Sequence, residues 1–163
     1  ADGDLVAFSA GALADGYLGE VGRTYAVGDV DGSAVPALYD RWDELRERLI
    51  AACRPGCPAS DLLSAYDAAG EQLPVMPVAH GLGLGFDSPV VTPQLRETCA
   101  QEILEPGMVL AVTGYVWQPG VGAIFGRDAV HVTADGPEVL TTSPSPTGAR
   151  ANSAGENAGV GIG

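Results

Sequence analysis

Two histidines, three cysteines and 21 carboxylates are the groups with which this 163-residue chain could do chemistry. His80 stands directly before a glycine run, Gly81-Leu-Gly-Leu-Gly85. Glycines alternating along a strand mean close backbone approach or a pocket wall. A lone histidine there reads first as a structural hydrogen-bonding residue, then as the polar member of a glycine-lined pocket. The run lacks GxGxxG spacing and a following Lys-Ser/Thr pair, so it does not read as a nucleotide phosphate loop. His131 alternates with Val130 and Val132, which turns it to the opposite strand face, toward solvent. Cys53-Arg-Pro-Gly-Cys57 is neither a CxxC redox pair nor a zinc site, which needs about four ligands. With Cys99 these read as free structural thiols, and free thiols favour a reducing compartment, the cytoplasm. No GxSxG or HExxH signature occurs.

Charge removes several function classes. All eight basic residues are arginines, and the formal net charge is −13. Nucleic-acid backbones and anionic membrane surfaces require clustered cations, so neither is expected as a partner. A hydrophobic content of 46% excludes a wholly disordered chain. No apolar run reaches the roughly 18 residues of a membrane-spanning helix. The chain starts with Ala, without a basic, apolar leader, which predicts a fragment or processed chain with no secretion signal.

The elements that must position these groups follow from periodicity. Residues 4–10 read as a strand, Asp15-Gly16 as a tight hairpin turn, and Tyr17–Val27 as the returning strand. Leu38, Trp42, Leu45, Leu49 and Ala52 recur at helical spacing, with charged residues on the other faces. That predicts an amphipathic helix starting near Pro36 and stopped by Arg54-Pro55-Gly56. Ser60 or Asp61 caps a shorter second helix ended by Gly70. Val75–Leu84 and Val90-Val91 read as extended, and 92–103 as holding a short helical turn. Met108–Trp117, Ile124–Thr133 and Glu138–Thr141 read as strands, the last two joined at Ala134-Asp135-Gly136-Pro137. The pattern is α+β: an antiparallel sheet with helices on one face. Residues 1–143 form the domain. From 144 to 163, Ser, Pro, Gly and Ala dominate and predict a disordered tail.

Five segments in order resemble the pita-bread metallopeptidases, the methionine aminopeptidase, aminopeptidase P, prolidase and creatinase family. Gly16-Tyr17-Leu-Gly-Glu20-Val-Gly-Arg23-Thr24 resembles the family's GYxxDxTRT stretch. Arg54-Pro55-Gly56 followed by Asp61 resembles its helix–kPG–helix connection. Ala79-His80-Gly81-Leu-Gly-Leu84 resembles GHGIGL, and Leu104-Glu-Pro-Gly-Met-Val109 resembles LxPGMV. Val132-Thr133, Gly136 and Leu140-Thr141 resemble the terminal VTxxGxxxLT hairpin. The match runs over residues 4–141. It implies a pita-bread fold truncated at its amino-terminal side, because related enzymes carry further elements before this point. The first strand is then expected to present an exposed edge able to pair with another chain, including a second copy as a homodimer.

The resemblance implies two divalent metal ions held by two Asp, one His and two Glu. In this chain those positions hold Ser9, Glu20, His80, Thr113 and Arg127, with Asp128 next to the last. Auxiliary histidines fall on Met76 and Asp87. One ligand is kept as such and one approximately. A cation at Arg127 repels a divalent ion and can replace it by pairing with Glu20. A slip of one residue would bring in Asp128, enough at most for a single weak metal. The expectation is therefore a domain without metal cofactors, probing its partners through a vestigial pocket of Ser9, Tyr17, Glu20, His80, Asp87, Thr113, Arg127 and Asp128. Such a pseudoenzyme would bind a peptide, a small carboxylate or a protein. The alternatives are a metal-free, creatinase-like hydrolase using His80 as acid or base, and a residual Xaa-Pro metallo-aminopeptidase.

Overall fold

The computed structural model describes residues 3–143. The tail expected at 144–163 lies outside the described residues.

Helix α1 spans Val35–Ala52, with Pro36 in its first turn. Leu38, Tyr39, Trp42, Leu45 and Leu49 are buried along one face, while Asp40, Glu44, Glu47 and Arg48 face solvent. Helix α2, Asp61–Ala69, ends on Gly70 in the left-handed conformation, φ 70°, where a side chain is disfavoured. The expected cap at its start does not form. Ser60 makes no side-chain cap bond, and its backbone carbonyl instead accepts from Leu63 and Ser64.

Strand β1, Leu5–Ala14, pairs along its whole length with β2, Tyr17–Ala26. Their turn uses Asp15 at φ 50° and Gly16 at φ 87°, the conformation that matches strand twist. Strands β3, Ala79–Leu82, and β4, Phe86–Val91, form a second hairpin. A 3₁₀ turn at Pro93–Leu95 and a single helical turn α3, Arg96–Cys99, follow. Strands β5, Val109–Gln118, and β6, Gly122–Thr133, form the central hairpin, and β7, Gly136–Val139, returns along β6. The sheet order is β1-β2-β6-β5-β3-β4, all antiparallel. Strand β5 takes one edge of β6, so β2 and β7 share the other.

Helices α1 and α2 cover one sheet face, as the apolar periodicity requires. Trp42 packs the Nε1–Cζ2 edge of its indole against the cross-strand pair Gly114 and Gly126, and its Nε1 donates to the Gly114 carbonyl at 3.0 Å. A Cβ on Gly126 would stand 2.0 Å from the Trp42 ring, so only glycine fits beneath it. The Tyr66 hydroxyl donates to the Thr113 carbonyl, and the Tyr39 hydroxyl to that of Thr24. The sheet also curls. The Leu18 amide of β2 donates to the Gly83 carbonyl after β3 at 2.8 Å, although two strands separate them in sheet order. The face away from the helices is therefore concave.

Candidate functional site

Strand alternation decides which side chains share the concave face. The register places Ser9, Gly22, Arg127 and Thr113 in one row across β1, β2, β6 and β5. Glu20, two residues from Gly22, shares their face, and so does His80, paired with Ala111 of β5. Arg127 is the hub. Its Nη1 donates to Glu20 Oε2 at 2.5 Å and its Nε to Thr113 Oγ1 at 3.0 Å. The guanidinium lies over the Phe125 ring, 5.6 Å from the centroid. Arg127 and Glu20 side chains are 17% and 16% exposed, so solvent screens their pairing only weakly.

His80 closes the other end of this group. Its Nε2 lies 3.4 Å from Glu20 Oε1. The approach lacks the direction a hydrogen bond needs, and Nε2 has no hydrogen-bond partner among the described residues. The ring is buried and stacks on Phe86 with centroids 3.9 Å apart at 17°. Burial lowers the His80 pKa. Glu20 opposes that shift, and Arg127 adds to it. His80 is thus an imidazole favoured in its neutral form beside a carboxylate already claimed by arginine.

Four of the expected pocket residues, Glu20, His80, Thr113 and Arg127, converge. Four do not. Ser9 is exposed and two strands from Arg127, roughly 10 Å by sheet spacing. Tyr17 is 65% exposed at the β1–β2 hairpin tip. Asp87 is exposed with its carboxylate over Gly83, and the charges acting on His80 are those of Glu20 and Arg127. Asp128 lies on the opposite, helix-covered face because it neighbours Arg127 in a strand of period two. There it receives Arg23 Nη2 and Arg46 Nε, both at 2.6 Å, and ties β6 to β2 and α1. The one-residue slip that would bring Asp128 into the site is excluded by this register.

Phe86 and Phe125, the two aromatic walls, are not picked out by composition or motif. A signal exists for Phe86: the turn Gly83-Leu84-Gly85 folds the chain back, so a residue six positions after His80 returns beside it. Gly81 shows the close approach its position implies, since a Cβ there would stand 2.4 Å from the Ser88 carbonyl. His131 is half-exposed with Nδ1 3.3 Å from Glu138. Cys53, Cys57 and Cys99 are free, and burial pushes the Cys53 thiol up to about 12. Met76 lines a separate apolar cleft of about 310 Å³ with Val75, Tyr115 and Trp117.

A pair of divalent ions needs several carboxylates to balance its charge and to activate a bridging water. The converging set offers one imidazole and one carboxylate, with a guanidinium seated on that carboxylate. Among the described residues no group of three His, Cys, Asp or Glu side chains is placed to hold a metal ion. The residues present do not fit a two-metal centre. Nor is any described helix long and apolar enough to cross a membrane.

Comparison with known proteins gives a consistent set. The family model described as metallopeptidase family M24 matches residues 1–134. The Bacillus subtilis protein YkvY is 31% identical over 148 residues, covering 87% of this chain and 39% of its own. The Xaa-Pro dipeptidase of Pyrococcus furiosus is 28% identical over 144 residues, 85% of this chain and 40% of that one. The solved structure of an Xaa-Pro dipeptidase from Bacillus anthracis matches with a TM-score of 0.73 at 27% identity, over 88% of this chain and 40% of that one. The chain thus spans about two fifths of the length of these relatives.

Proposed function

Because the chain belongs to metallopeptidase family M24 and has the pita-bread fold of its prolidase-like members, we propose that it is a non-catalytic domain whose metal centre is replaced by an arginine clamp. The observation that carries this is Arg127, bonded at once to Glu20 of β2 and Thr113 of β5. A guanidinium there ties together the strands that a metal cluster would otherwise bridge, and its charge repels divalent ions. With His80 neutral, the pocket presents one cation and one carboxylate in contact. Such a dipole suits a peptide end or a small carboxylate, whose acid group competes with Glu20 for Arg127. Nucleic acid and anionic membrane are not proposed as partners, since the chain carries eight arginines against 21 carboxylates. Free thiols accord with a cytoplasmic setting.

Metal titration tests the reading. The chain is expected to show no saturable binding of manganese or cobalt, and chelators leave its thermal midpoint unchanged. A variant combining Glu20→Asp, Thr113→Glu and Arg127→Glu places three carboxylates beside His80 and is expected to gain metal binding. Near-stoichiometric metal in the unaltered protein, with loss of stability on chelation, overturns the proposal. One observation favours a second reading, metal-free hydrolysis: the unpaired His80 Nε2 beside Glu20 could move a proton. Hydrolysis of an Xaa-Pro dipeptide that disappears in His80→Asn would support it.

A further inference from the structure

Tyr115 and Trp117 take no part in the Arg127 clamp, yet they stand beside it. Strand alternation puts both on the face of Thr113, because Gly114 and Val116 between them turn toward the helices. Tyr115 is paired across the strands with Phe125, whose ring lies under the Arg127 guanidinium. Tyr115 and Trp117 then form one wall of the apolar cleft of about 310 Å³, and residues 73–76 form the other. An aromatic strip thus leads from the cation into the cleft. By strand rise, Tyr115 lies roughly 7 Å and Trp117 roughly 13 Å along β5 from Thr113, the partner of Arg127. Trp117 is 48% exposed and Val75 95%, so the cleft keeps apolar surface in water.

The two ends ask for different chemistry. Arg127 gives Nε to Thr113 and Nη1 to Glu20, while its Nη2 donates to no described residue. A second anionic acceptor suits that nitrogen. Among the described residues lining the cleft, only Gln72, Tyr115 and Trp117 carry a side-chain N or O atom. A peptide laid there would bury amides with few side-chain partners, which is costly, whereas a hydrocarbon body has no such groups. We propose that the site takes a monocarboxylic acid with an aryl-alkyl body, its carboxylate on Arg127 Nη2 and its ring between Trp117 and Tyr115 in the cleft. This inference rests on the reading of Arg127 as the seat of a carboxylate and adds to it the class of acid.

Phenylbutyrate is the probe, read by calorimetry and by tryptophan fluorescence. The chain has two tryptophans and Trp42 is buried in the core, so a shift in emission reports on Trp117. Butyrate supplies the head without the ring, and phenylbutanol the ring without the charge. Phenylbutyrate is expected to bind saturably, to shift Trp117 emission to the blue, and to bind at least about tenfold more tightly than either. Trp117→Ala, at a half-exposed position, is expected to remove its advantage over butyrate. Glu20→Gln, which frees Arg127 of a competing carboxylate, is expected to tighten phenylbutyrate but not phenylbutanol. Equal binding of butyrate and phenylbutyrate, or an advantage that survives Trp117→Ala, overturns this inference and leaves the carboxylate reading of Arg127 standing. Phenylbutanol binding as tightly as phenylbutyrate overturns the link between cleft and cation. Binding of neither acid overturns the inference and the carboxylate reading together.

Discussion

Replacing Arg127 by Met keeps the aliphatic stem over Phe125 but removes the guanidinium. Glu20 is then left as an unpaired carboxylate, 16% exposed, facing a buried imidazole. Breaking a fully buried ion pair at one partner costs about 3–5 kcal/mol. The residual exposure of both groups reduces this, and the lost Thr113 bond adds part of about 1 kcal/mol, so we expect a destabilisation of about 2–3 kcal/mol. Glu20→Gln removes the charge while keeping the shape. In the double variant neither group is stranded, so its cost falls short of the sum of the single costs by about 1.5–2.5 kcal/mol. Urea unfolding of the four proteins at one pH and low salt measures this coupling. Residue-specific NMR of His80 gives a parallel readout. Arg127 contributes to lowering its pKa, so Arg127→Met is expected to raise it and Glu20→Gln to lower it further. A coupling below about 0.5 kcal/mol, the usual error of additivity, would refute the clamp.

Three further outcomes follow from the geometry. The His80 pKa lies below its unfolded value near 6.5, so the native state binds fewer protons than the unfolded state in that window. Stability is therefore full above about pH 6.5 and falls as pH drops toward the folded pKa, and unfolding curves of His80→Asn are expected to lack this component. Gly126→Ala drives a methyl into Trp42, whose ring is held by its bond to Gly114, and is expected to cost at least about 2 kcal/mol in urea unfolding. Asp128→Asn deprives buried Arg23 and half-buried Arg46 of their shared carboxylate. A loss of about 3 kcal/mol is expected, with His80 resonances unmoved because the site lies across the sheet.

The sequence by itself settled the ordered motifs, the family they belong to, the two helices and the main hairpins. Each rests on local information: a hydrophobic period, a turn dipeptide, or a run of residues matched in order. It also led to the expectation that Thr113 and Arg127 stand where the resemblance implies glutamate ligands, because both can be read directly against a motif. Proximity was decided only by the tertiary structure. Asp128 and Arg127 are adjacent in the chain yet face opposite layers, because a strand alternates its side chains. Tyr17 sits three residues before Glu20 but stands exposed at the hairpin tip. Conversely, Glu20 and Arg127 are 107 residues apart and touch, because β2 docks on β6 and the sheet curls until Leu18 reaches Gly83. Curl and strand order arise from packing between distant segments, which no local pattern encodes.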